Sequence, residues 1–280
     1  MNAPGASLSD AKAAELEKMA KKLRRDIILM VGANKPGHIG GSCSLAEIVA
    51  TLYFHAMRHN PRRPGWPGRD RFILSKGHAA PIQYAALAEC GYFPRQRLDT
   101  LKELGTTLQG HPDMTRTRGV EANTGSLGQG LSIACGMALA GKLDGKDYRV
   151  YCILGDGEIA EGQVWEASMA AAFYRLDNLT AILDKNRIQA TGPVADRYDT
   201  NPHAEKWRAF GWNVVETDGH DVRQVAGALE AAAAVKGKPT MIIARTVKGK
   251  GIPFAEDTAL FHHGIMTKEQ YEAALKAVSD

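Results

Sequence analysis

Two apolar runs in this chain end on groups that can hold a metal ion. Val150 to Glu158 reads V-Y-C-I-L-G-D-G-E, and Ala181 to Ile188 reads A-I-L-D-K-N-R-I. Each has the pattern of a buried strand. The first stops at Gly155-Asp156-Gly157 and the second at Asn186. Asp156 and Asn186 lie about one strand–helix–strand unit apart. A right-handed crossover brings both strand ends to one edge of a parallel sheet. That edge is where open α/β sheets bind ligands. The Asp156 carboxylate, the Asn186 side-chain oxygen and the backbone carbonyl of Ile188 are hard donors carrying little charge. Such a set suits Mg2+ that also takes phosphate oxygens, with Ca2+ or Mn2+ as substitutes. Glycine at 155 and 157 lets a phosphate come close to the backbone. A G-D-G tripeptide alone is an ordinary turn; Asn186 at crossover spacing turns it into a clamp for a metal-bound diphosphate.

A second set of reactive groups is the histidines. Of nine, His38, His78, His111 and His263 each sit beside a glycine in a loop. A single surface histidine has no meaning, but four in this setting, above one sheet edge, converge on the ligand. Neutral imidazoles there can donate to phosphate, hold a hydroxyl and move protons near neutral pH. His55, His59, His203, His220 and His262 give no reason to be singled out. The spacings fit no zinc motif. Gly125-Ser126-Leu127-Gly128-Gln129-Gly130 has the wrong order for a dinucleotide fingerprint; it fits close approach to a flat heterocycle, with Leu127 packed on it. Thr246-Val247-Lys248-Gly249-Lys250-Gly251 is a basic loop after a strand, and it sets Lys248 over the anionic site.

These groups need a scaffold. Residues 1 to 9 are small and polar and read as loose. Ser9 or Asp10 caps a helix to about Val31, in which Leu16, Met19, Leu23, Ile27 and Met30 repeat at helical spacing. Lys35 to Ser42 has too many glycines for an element, and Ser44 is expected to cap a helix to about Met57. A short strand Arg71–Leu74 precedes a helix to about Cys90, and residues 98–104 read as helical. A helix over 131–142 follows the glycine-rich loop. Strands are expected at 212–216 and 240–244, with an Ala-rich helix over 222–235 between them. Thr267 caps a last helix. This alternation predicts an α/β fold, a parallel sheet covered by helices on both faces.

The bulk numbers agree. At 280 residues the chain suits one large α/β domain, able to bury about 75% of its unfolded surface. With 35 basic and 31 acidic residues the charge is only +4, which fits anionic small molecules and no nucleic-acid surface. Four cysteines without C-x-x-C spacing read as free buried thiols of a reducing, cytoplasmic compartment. No apolar run reaches ~18 residues, so no membrane span or signal core is expected.

Several motifs together resemble the transketolases, a family of thiamine-diphosphate enzymes. They are P-G-H-I-G-G, D-R-F-I-L-S-K-G-H-A-A-P-I, Q-G-H-P-D, T-G-S-L-G-Q-G-L, L-G-D-G-E-I-A-E-G-Q-V-W-E, L-D-K-N-R-I, T-V-K-G-K-G and H-H-G, in family order. S-K-G-H-A and T-V-K-G-K-G are similar to the animal-type forms. The resemblance implies the thiamine-diphosphate-binding fold, with thiamine diphosphate and Mg2+ as cofactors. It puts Asp156, Asn186 and the Ile188 carbonyl on the metal, and Gly157 at the diphosphate. His78 and His263 would lie by diphosphate and substrate. His38 and His111 would hold donor hydroxyls and assist proton transfer. Gly125 and Leu127 would meet the cofactor rings, Lys248 the anionic site, and Glu161 an acidic network between protomers.

The implied reaction moves a two-carbon ketol from a ketose phosphate to an aldose phosphate, as in the pentose phosphate pathway. The implied layout is a diphosphate-binding domain over 1–265, then a helix over 266–280 at the start of a linker. The pyrimidine-binding and C-terminal domains, with the family's catalytic glutamate and sugar-phosphate arginines, would belong to a partner subunit in an α2β2 assembly. Other readings are a transketolase subunit for a branched or sulfonated sugar, and a non-catalytic subunit that holds the cofactor. Deoxyxylulose-phosphate synthases and the α-subunit of 2-oxoacid dehydrogenases are more distant; the latter share G-D-G…N without needing four loop histidines.

Overall fold

A computed structural model describes residues 8–279. Most of the segment expected to be loose, residues 1–7, lies outside the described residues. Helix α1 (Asp10–Val31) is capped by Ser9, whose hydroxyl accepts from the Lys12 N–H. Strand β1 (Pro36–Gly37) leads into α2 (Gly40–Cys43) and α3 (Ala46–Thr51), and the chain continues in a wider helical turn over Leu52–Ala56. Strand β2 (Arg71–Leu74) and α4 (Ala80–Glu89) follow, then α5 (Gln129–Leu143), β3 (Val150–Gly155), α6 (Gly162–Phe173) and β4 (Leu179–Lys185). A small hairpin, β5 (Ile188–Gln189) and β6 (Gly192–Pro193), precedes α7 (Val194–Arg197) and α8 (His203–Ala209). The chain closes with β7 (Asn213–Asp218), α9 (Val222–Ala234), β8 (Thr240–Arg245), β9 (Gly264–Ile265) and α10 (Lys268–Ala277).

The central sheet is wholly parallel, in the order β2-β3-β4-β8-β7. Its strands are covered on both faces, and the period-2 alternation of side chains shows it. Phe72, Leu74, Tyr151, Ile153, Ile182 and Ile242 pack in one layer with α1, α3, α4 and α9. Ile73, Cys152, Leu154, Ala181, Leu183 and Ile243 pack in the other with α5, α6 and Trp207 of α8. Burying each such Leu or Ile contributes roughly 1.5–3 kcal/mol, so register is strongly specified. Strand order reverses between β4 and β8, the kind of switch point where ligands enter.

Several expectations need correction. Ser44 caps no helix; its hydroxyl points inward to Gly41 O and Asp184 Oδ2. The glycine-rich P-G-H-I-G-G stretch is not all loop, since α2 starts at Gly40. Residues 98–104 are not an α-helix: a 3-10 segment covers Arg95–Thr100. Trp212 precedes β7 instead of opening it, because its indole is buried on α6 with Nε1 donating to Ser168 O. The antiparallel pair β1–β9 had no sequence signal, being two residues long on each side.

Candidate active site

The clamp begins with the sheet register. β3 and β4 are parallel neighbours, with Gly155 opposite Asp184. The residues just past each end therefore meet. Asp156 is 3% exposed, and its carboxylate accepts from Gly157 N (2.9 Å) and Arg187 N (2.5 Å). Asn186 is 4% exposed; its Nδ2 donates to Asp184 Oδ2 (2.9 Å), which leaves Oδ1 to accept from Ile188 N (3.1 Å). Asp156, Gly157, Asn186 and Ile188 line one cleft of about 270 Å3, together with Lys76, His78, Leu127, Lys248 and His262.

Electrostatics in the cleft follow from burial. Burial, then the Asp184 carboxylate, push the Asp156 carboxyl up to about 6. A dication beside it favours the charged form. Lys248 is 2% exposed; burial and then the Lys76 ammonium bring it down to about 8. Its Nζ donates to Ile188 O (2.7 Å) and meets His262 Nδ1 (3.0 Å). The oxygen set of Asp156, Asn186 and Ile188 fits magnesium, a cation that takes few protein ligands and keeps room for phosphate. Among the described residues no group of three His, Cys, Asp or Glu forms a metal cluster.

The histidines gather at the mouth. The β1–β9 ladder pairs Pro36 with Ile265 and Gly37 with Gly264, and so sets His38 against His263, ring centroids 4.4 Å apart. His38 also lies 5.2 Å from His78 and 6.3 Å from His111. His262, which the sequence did not single out, stands 4.8 Å from His78 and 5.5 Å from His38. Burial, then the neighbouring His263 and His262, hold His38 down at about 3. His262 is held at about 4 by burial and then Lys248. His78 is depressed far below the usual range by burial and Lys76, and His111 and His263 are lowered by burial and Lys102. The five rings are therefore neutral at pH 7, able both to donate and to accept.

The remaining predicted residues separate. Gly125 adopts φ 146°, and a Cβ there would come within 2.9 Å of His111; the glycine allows that imidazole against the loop. Leu127 stays 36% exposed at the cleft wall. Glu161 does not reach the cleft. It precedes α6 and packs against Gly128, whose φ is 84°. Sequence reasoning missed Lys76, Asp184, Thr246 and His262. The signal for Asp184 was present, since a carboxylate inside an apolar strand is rare unless paired.

The family profile described as transketolase, thiamine diphosphate binding domain, matches residues 16–278. The chain belongs to the transketolase family. Its matched domain is the one that binds thiamine diphosphate, and the family consists of transferases. A 6-deoxy-6-sulfo-D-fructose transketolase subunit from Clostridium sp. (strain MSTE9) is 47% identical over 261 residues, covering 93% of this chain and 95% of that protein. An apulose-4-phosphate transketolase subunit from Phocaeicola vulgatus is 42% identical over 265 residues, 95% of this chain and 94% of that one. The crystal structure of transketolase from Campylobacter jejuni superposes with a TM-score of 0.88 at 33% identity, covering 94% of this chain. The chain spans 42% of the length of that solved protein. No described helix is long and apolar enough to cross a membrane.

Proposed function

We propose that this chain is the diphosphate-binding subunit of a two-subunit transketolase, moving a two-carbon ketol between sugars with thiamine diphosphate and magnesium. The observation that carries the reading is the meeting of Asp156 and Asn186 past the ends of paired strands, under a ring of neutral histidines. Asp156, Asn186 and the Ile188 carbonyl would hold the metal. Gly157, His78 and Lys248 would face the diphosphate, and Gly125 and Leu127 the cofactor rings. When bound, thiamine diphosphate supplies the electron sink that lets a carbon–carbon bond beside a carbonyl be broken and remade. This chain's own residues orient the sugar and handle protons. His38, His111 and His263 would meet the donor hydroxyls; a neutral imidazole there can donate to one hydroxyl, accept from another, and assist proton transfer.

The partner supplies the pyrimidine-binding half, in an α2β2 assembly with Glu161 at the subunit boundary. Support for a split enzyme is that relatives named as transketolase subunits match this chain almost end to end. Their names also favour a second reading on substrate. The donor is then a branched or sulfonated sugar and the pathway is one other than the pentose phosphate route. The test is to co-purify the chain with the product of its neighbouring gene and add thiamine diphosphate and Mg2+. Ordinary ketose phosphates, 6-deoxy-6-sulfo-D-fructose and apulose 4-phosphate are then screened as donors. Ketol transfer by the pair and almost none by the lone chain is expected. Robust transfer by the lone chain rejects the split, and no transfer from any donor by the pair rejects the enzyme reading.

A further inference from the structure

Directly behind the clamp lies a carboxylate that touches no open space. Asp184, on β4, is 0% exposed. Its Oδ2 accepts from Lys76 Nζ, from Ser44 Oγ (2.8 Å) and from Asn186 Nδ2 (2.9 Å), and its Oδ1 from Thr246 Oγ1. The donors come from four places: the loop after β2, the turn between α2 and α3, the end of β4, and the loop after β8. Lys76 and Ser44 also share Gly41 O as acceptor.

A buried ion pair is weak evidence for stability, because apolar side chains of the same volume do as well. This one has another consequence. A carboxylate can only accept, so it turns the Asn186 amide with Nδ2 inward and Oδ1 toward the cleft. The Ile188 N–H on Oδ1 favours the same orientation. Lys76 is held at the cleft wall beside His78 by the same carboxylate.

We infer that Asp184 is a positioning residue, which fixes the Asn186 oxygen and the Lys76 ammonium in place before a metal-bound diphosphate arrives. The inference rests on the cofactor reading above. Groups behind a metal ligand typically change affinity by roughly 10–100-fold when removed.

Calorimetric titration of the chain reconstituted with its partner subunit, with thiamine diphosphate and Mg2+, tests it, using Asp184→Asn, Asn186→Ala and the double variant. Asp184→Asn should weaken binding at least about tenfold. The loss in the double variant should be smaller than the sum of the two single losses, because Asp184 acts partly through Asn186. Additive losses, or wild-type affinity in Asp184→Asn, overturn the positioning role while leaving the cofactor reading intact. No metal-dependent binding by the wild-type complex overturns both. A variant-free measurement covers failure of Asp184→Asn to fold. The Asn186 side-chain amide protons of the cofactor-free wild type should be protected from solvent exchange, and rapid exchange contradicts the inference.

Discussion

Residue identity carries most of the chemistry here, and part of it was legible. Asp156 and Asn186 were readable because both follow apolar strands at crossover spacing, and the register sets them side by side. His38, His78, His111 and His263 were readable from their glycine neighbours, and all four reach one cluster. His262 was not, because in H-H-G only the second histidine touches the glycine; its place is set by the turn before β9. His111→Ala in the reconstituted enzyme should slow turnover by roughly 10²–10⁴-fold, the usual range for a proton-transfer group. Its cofactor affinity should change far less. Equal losses in both would move His111 to the diphosphate shell.

At the scale of elements, the sheet and its long helices were legible, because period-2 and period-3.6 patterns are strong in Val150–Gly155 and Asp10–Val31. The short pieces were not. β1, β9, α2 and the 3-10 turn at Arg95–Thr100 are shorter than any pattern. What ties elements together was equally hidden. Arg24 of α1 grips Glu47 of α3 through two bonds (2.6 and 2.7 Å), Glu47 accepts from His220 Nδ1 (2.9 Å), and His220 Nε2 accepts from Val247 N (2.8 Å). This chain of contacts fixes the backbone next to Lys248. Burial pushes the Glu47 carboxyl up, but the His220 hydrogen bond and the Arg24 guanidinium outweigh it and hold it at about 2, against an ordinary 4.5. Because its folded value is depressed, Glu47 contributes stability above pH 4.5 that is lost as pH falls toward about 2. Glu47→Gln should cost roughly 3–5 kcal/mol at pH 7 by leaving Arg24 unpaired. It should also remove that part of the acid dependence. Urea unfolding at several pH values reads both; a loss independent of pH contradicts the assignment.

For the whole molecule, the proposed partner subunit would need a surface to dock on, and α5 and α6 carry exposed apolar side chains. Leu143, Met169 and Phe173 are 79%, 53% and 77% exposed on these helices. Contiguous exposed apolar surface marks interaction sites, and Phe173 tests whether these side chains belong to one. Phe173→Asp should shift the sedimentation of the assembled enzyme toward smaller species; an unchanged profile would remove this face from the interface. The expectation of a partner subunit came only from the family resemblance, since no local sequence pattern encodes one. The fold and the histidine ring serve one cleft, which the proposed partner would complete. Its decisive measurement is calorimetric titration of thiamine diphosphate with Mg2+ into the chain reconstituted with its partner, as wild type, Asp156→Ala and Asn186→Ala. The account predicts metal-dependent binding in the wild type and much weaker binding in both variants, with melting temperatures and far-ultraviolet spectra preserved. Wild-type affinity in a folded Asp156→Ala chain would contradict it.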